Sequence, residues 1–165
     1  MKTFSIIIIG FLTVIACKSE KSVKQEINKT VDSSRAISFK PPKLDENYYR
    51  ELFKYQQKII QNPSGREEKE RYIFNAFFPE NNTLLSFGSA RRTNPQTKQA
   101  IPYPLQKRAA LIDARRWGTY GLLWINNDFR PDFGKISDIH TGETQEVYTF
   151  ENGDSLIIVL ANKVH

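Results

Sequence analysis

The sequence predicts an α+β fold: a small antiparallel sheet with helices packed on one face, preceded by a cleaved signal peptide and a disordered tether. Three observations carry that reading. Tyr48, Leu52, Tyr55 and Ile59 recur at helical spacing; a second helical stretch runs from Leu105 to about Ile125; and Asn152-Gly153 sits between two β-rich runs. The division that follows is a signal peptide over 1–16, a modified cysteine and flexible tether over 17–44, and one α+β domain over 45–165. The 165 residues suffice for one compact core and not for two. With 11 Phe and 7 Tyr, aromatic rings supply much of the area that core can bury.

The chain opens with Lys2, then an almost wholly apolar Phe4 to Ile15, then Val14-Ile15-Ala16-Cys17. A basic start, a short apolar run and a small residue at the cut are the parts of a secretory signal peptide. The run is roughly a dozen residues, against the twenty or so that a helix needs to cross the hydrocarbon core. Val14 to Cys17 resembles the lipobox of bacterial lipoproteins: aliphatic, tolerant, small, then cysteine. That resemblance implies cleavage before Cys17, diacylation through its sulfur, and residence in the cell envelope on a membrane anchor. Each buried methylene contributes about 0.8 kcal/mol, so two or three acyl chains hold where one does not.

Cys17 is the only cysteine, which excludes a disulfide within the chain and any cysteine-rich metal site. Lys and Arg total 24 against 18 acids, a net charge of +6. Such an excess suits an anionic surface, and export argues against nucleic acid as the partner.

From Lys18 to about Leu44 polar residues dominate, with Val23, Ile27, Val31, Ile37 and Phe39 scattered among them. Too little apolar surface is available there to offset ordering entropy, so the segment reads as a tether averaging roughly 25–30 Å end to end. Pro41-Pro42 stiffens its junction with the domain. Asp45 then caps a helix from Glu46, whose stripe Tyr49, Phe53 and Ile60 widen, while Lys54, Gln56, Gln57 and Lys58 are expected to face water. Asn62-Pro63-Ser64-Gly65 stops it.

Residues 67–78 fit two readings. Tyr72, Phe74, Ala76 and Phe78 alternate as in a strand, and Tyr72, Ile73, Ala76 and Phe77 also suit a helix behind a Glu-rich first turn. Pro79 to Asn82 is a turn and Thr83 to Ala90 a strand, with Leu85 and Phe87 on one face. Gly88 within it marks a bulge or a close backbone approach. Arg91 to Pro104 is a proline-broken loop. The second long helix follows, with Ala110, Ala114, Trp117, Gly121 and Trp124 on one face, small enough in part to approach a sheet closely. Gly118 and Gly121 each cost about 1 kcal/mol in a helix interior, so an end or a kink near Gly118 is expected. Lys135 to Ile139 suits a short strand. Glu146 to Phe150 and Ser155 to Ala161 form a hairpin centred on Asn152-Gly153.

The strand Thr83 to Ala90, the helix segment Lys107-Arg-Ala-Ala-Leu-Ile-Asp-Ala-Arg-Arg116 and the terminal hairpin resemble the Lpp-twenty outer-membrane lipoprotein family. The similarity covers about residues 83 to 165 and the lipidated start, and its motifs are packing residues. Trp117 and the glycines at 118 and 121 depart from the family's usual pattern after the Asp-Ala-x-Arg turn. The resemblance implies a small sheet with a helix laid across it, and an outer-membrane location.

Catalytic chemistry has little to work with. His165 is terminal, so a nucleophilic or metal site would use His140 with Asp138, Glu143, Asp128 or Asp132, a spacing that a solvated turn explains equally well. No metal or cofactor is expected. The basic residues Arg91, Arg92, Lys107, Arg108, Arg115 and Arg116 form the candidate surface for an anionic glycan, a lipid headgroup or an acidic envelope protein. The expectation is a membrane-anchored, non-enzymatic envelope lipoprotein presenting a surface to another envelope component. The alternatives are an envelope hydrolase built on His140 and a headgroup- or glycan-binding module.

Overall fold

A computed structural model describes residues 40–139 and 142–165. The signal peptide, Cys17, the tether as far as residue 39, and His140 lie outside the described residues.

The described chain is α+β, with three α-helices and one open antiparallel sheet of four strands. Helix α1 spans Glu46–Gln61, and Asp45 caps it as expected, its carboxylate accepting from the Tyr48 N–H at 2.8 Å. Helix α2 spans Arg66–Ala76 and leads directly into strand β1, Phe77–Phe78. The open choice over residues 67–78 therefore resolves mostly to helix. Glu67 and Glu68 suit its N-terminus, and Arg66–Glu70 and Glu67–Arg71 pair at i,i+4. Pro79 ends β1 and opens a single 3₁₀ turn, Pro79–Asn81.

Strand β2 is Thr83–Arg91 and helix α3 Tyr103–Asn126. Helix α3 starts two residues before the expected Leu105, with proline tolerated in its first turn. It then runs unbroken past Gly118 and Gly121, so the expected end near Gly118 does not occur. The glycines are there for packing: a Cβ at Gly118 would collide with the buried Asn162 side chain, and one at Gly121 with Leu84 Cδ2. The expected strand at Lys135–Ile139 does not form either. Ile136 packs against the core and donates its N–H to the Tyr120 hydroxyl at 2.8 Å, so the backbone is committed to α3 and not to a ladder. The hairpin is present as β3, Thr144–Asn152, and β4, Ser155–Lys163. Its turn lies one residue later than expected, with Asn152 opposite Ser155 and Gly153 at the first central position with φ +59°.

The strand order is β1-β2-β4-β3. Leu84, Ser86 and Gly88 pair with Asn162, Leu160 and Ile158, and these residues share the face that meets α3. At Gly88 the close approach is to backbone, since a Cβ there would fall inside contact distance of Ala110 O and Ala114 N. Residues of the other parity, Phe87, Tyr148 and Phe150, meet α1: Phe53 lies 6.0 Å from Phe87 and 6.2 Å from Phe150, and Tyr49 stacks on Tyr148 at 4.8 Å. The α+β class holds, but the helices do not share one face as expected: α1 and α3 lie on opposite faces of the sheet. Alternation along β2 requires this, because Phe87 and Gly88 must point to opposite sides.

Beyond the two residues of β1, the free edge of β2 is closed by side chains. Tyr72 donates to Leu85 O at 2.7 Å, and Asp113 accepts from the Ser89 N–H at 2.9 Å. Gln56 accepts from the Phe87 N–H at 3.0 Å and donates to Phe87 O at 2.7 Å, matching both groups as a neighbouring strand would. Gln56 was expected to face water, yet it is 1% exposed. It sits three and four residues from Phe53 and Leu52, inside the apolar stripe, and its amide is what the edge needs.

Candidate interaction surface

The six basic residues singled out in the sequence do not form one patch. Arg92 pairs with Glu151 at 2.6 Å and Lys107 with Glu146 at 3.0 Å, both on residues of β3. The Glu146 carboxylate raises the Lys107 ammonium above its ordinary value, chiefly by hydrogen bonding. Arg116 lies over the Phe133 ring at 5.1 Å. Arg91 ends β2, with the residue parity of the α1 side.

Arg108 and Arg115 remain. Both are exposed on α3, and neither guanidinium has an ion-pair partner among the described residues. They share a helix face with Leu105 and Ile112, which are 57% and 48% exposed. The order Leu105, Arg108, Ile112, Arg115 is i, i+3, i+7, i+10, a single stripe down the helix. The opposite side carries Ala110, Ala114, Gly118 and Gly121 against the sheet. Helix α3 contains one acid, Asp113, and its carboxylate is turned to the Ser89 N–H at the β2 edge; burial pushes it above the ordinary carboxylate value. Exposed leucine and isoleucine between arginines were not singled out in the sequence, although their spacing relative to Arg108 was legible there.

The carboxylates named as partners for His140 are engaged elsewhere or exposed. Asp128 binds Arg66 at 2.7 Å, Asp132 binds Lys69 at 2.9 Å, Glu143 binds Lys163 at 3.1 Å, and Asp138 is exposed. Hydrogen bonds from Arg66 and Lys69 hold Asp128 and Asp132 below their ordinary values. Among the described residues no group of three His, Cys, Asp or Glu side chains is placed to hold a metal ion.

Lys69 went unnoticed in the sequence. It is 2% exposed, with Nζ 3.3 Å from Phe129 O and 5.6 Å from the centre of the Trp124 ring, so it ties α2 to the segment after α3. Its place at i−3, i−4 and i−7 from Tyr72, Ile73 and Ala76 put it on the inner face of a helix, a signal usable only once that helix was known.

Two shallow grooves flank α1. One is lined by Pro41, Pro42, Leu44, Tyr49, Val147 and Tyr148, the other by Arg50, Phe53, Lys54, Phe150 and Asn152. Arg50 is held in the second by Glu46 at 2.6 Å and by the face of Phe150 at 4.8 Å. Neither groove brings together a nucleophile and a base. Among the described residues no helix is long and apolar enough to cross a membrane.

The class defined by these features is an α+β domain with a mixed apolar and basic helix face. No family model matches the chain, and neither a curated protein nor a solved structure does. The resemblance to the Lpp-twenty family rests on the quoted residues alone.

Proposed function

We propose that the protein is a membrane-anchored envelope lipoprotein, acylated at Cys17, whose folded domain works without catalysis by presenting a surface to another envelope component. The observation that carries this reading is Val14-Ile15-Ala16-Cys17 behind a short apolar run, with the chain's only cysteine at the position acylation requires. Further support comes from the domain itself: the acids nearest His140 in sequence are paired or solvated, and Arg108 and Arg115, without ion pairs among the described residues, share one exposed helix face. The resemblance to the Lpp-twenty family points to the outer membrane.

Mass spectrometry of protein from its native envelope tests the proposal. The expected result is a chain beginning at a diacylated or triacylated Cys17 that partitions into detergent, with Cys17→Ser abolishing the modification. A free thiol at residue 17, or a chain retaining Met1, would overturn it.

A further inference from the structure

We infer that the stripe Leu105, Arg108, Ile112 and Arg115 on α3 docks the folded domain onto an anionic phospholipid surface. The inference rests on the lipid-anchor reading and names the component that the domain meets. Two guanidinia without ion-pair partners among the described residues, alternating with two exposed aliphatic side chains, match what an interfacial helix offers a bilayer. There the aliphatic groups enter the headgroup boundary while arginines extend to the phosphates. Charge sign agrees, since α3 has four basic residues and a single acid directed toward β2.

A protein partner suits this face less well. Interfaces between proteins centre on aromatic anchors seated in pockets. This stripe has no ring and no pocket, and the opposite side of the helix is packed against the sheet. Two arginines attract an anionic leaflet only weakly. An anchor at Cys17 changes that, because tethering to the bilayer raises the effective concentration of the membrane at the helix to roughly the millimolar range.

The test uses the native lipidated chain, in which acylation leaves no free thiol, carrying Ile112→Cys labelled with an environment-sensitive fluorophore. Reconstituted in vesicles of phosphatidylethanolamine and phosphatidylglycerol, the probe is expected to shift to the blue and to be quenched by lipids brominated in the acyl chain. In phosphatidylcholine vesicles, or with Arg108→Glu and Arg115→Glu together, both signals should fall to the level of an exposed probe, with circular dichroism unchanged. Should Ile112→Cys fail to fold, Leu105→Cys reports from the same stripe. A chain that floats with anionic vesicles while its probe stays in water overturns the docking and leaves the anchor standing. A chain that does not float overturns both. A probe that responds only when envelope protein is added assigns the face to a protein and overturns the lipid.

Discussion

On the α3 side of the sheet, Gly88, Ala110 and Ala114 bring backbone against backbone, whereas on the α1 side Tyr49, Phe53, Phe87, Tyr148 and Phe150 fill the gap with rings. Both sides belong to the same strands, so the contrast comes from residue size at alternating positions. The small-residue side has no free volume and no flexible tips at Gly88, and it holds α3 at a fixed height and rotation. The aromatic side borders open grooves and tolerates adjustment. The rigid side is the one that fixes the outward direction of the Leu105 to Arg115 stripe. A surface built on α3 is therefore pre-set by its back, which is where substitutions would act on it indirectly.

The sharpest way to break the contrast is to add one methyl group at Gly88. Gly88→Ala would drive Cβ into Ala110 O and Ala114 N, helix backbone that cannot swing aside, and is expected to cost more than about 3 kcal/mol in chemical denaturation. If the loss is under 1 kcal/mol or so, the close approach is not as described. Removing atoms on the aromatic side should do less. Phe53→Leu leaves space beside an open groove and is expected to cost about 1–2 kcal/mol by the same measurement.

Asp113 lies where α3 passes the edge of β2, and its effect depends on pH. Burial raises its value, so the folded chain holds that proton more tightly than the unfolded chain does. Its contribution to stability is present below the ordinary carboxylate range and is lost as pH rises through the raised value. Asp113→Asn keeps an oxygen for the Ser89 N–H and has no charge to bury. The stability of the variant relative to the wild type should therefore increase from acid to neutral pH; a flat difference across that range would show that burial of the charge costs nothing.

The smallest effect is expected at Gly121. Gly121→Ala clashes only with Leu84 Cδ2, the end of a side chain that can turn, meets Ile73 Cδ1 at ordinary contact distance, and gains roughly 1 kcal/mol of helix propensity. Its melting temperature should stay close to that of the wild type, in contrast with Gly88→Ala, although both positions face the same interface.

Much of this fold could be read from the residues. Asp45 and the stripe Tyr48, Leu52, Tyr55 and Ile59, widened by Tyr49, Phe53 and Ile60, mark α1, although Tyr48 and Ile60 are exposed, and two β-rich runs around Asn152-Gly153 define the hairpin, because capping, helical period and turn chemistry act within a few residues. Gly88 was legible as a close approach for the same reason, since a glycine in a strand needs a neighbour to explain it. Residues 67–78 fitted two readings, as alternation and helical spacing coincide there and ion pairs between adjacent turns favour the helix. Gly118 and Gly121 pointed the wrong way: local propensity marks them as helix breakers, while Asn162 and Leu84, contributed by the strands, occupy the space beside them. The candidate surface was legible only as a list of basic residues. Which of those are neutralised depends on Glu146 and Glu151, nearly forty residues or more away in the chain.

By itself the sequence determined the class of fold, the cap and stripe of α1, the terminal hairpin and the small-residue side of α3, all of which follow from interactions between near neighbours. Tertiary structure alone decided that α1 and α3 take opposite faces, that Gln56 and Lys69 are buried, and that Arg108 and Arg115 are the basic residues of α3 with neither an ion pair nor a ring contact among the described residues. The physical reason is common to all three: burial and ion pairing depend on groups brought close by strand order and register, and neither is encoded in the spacing of a single helix.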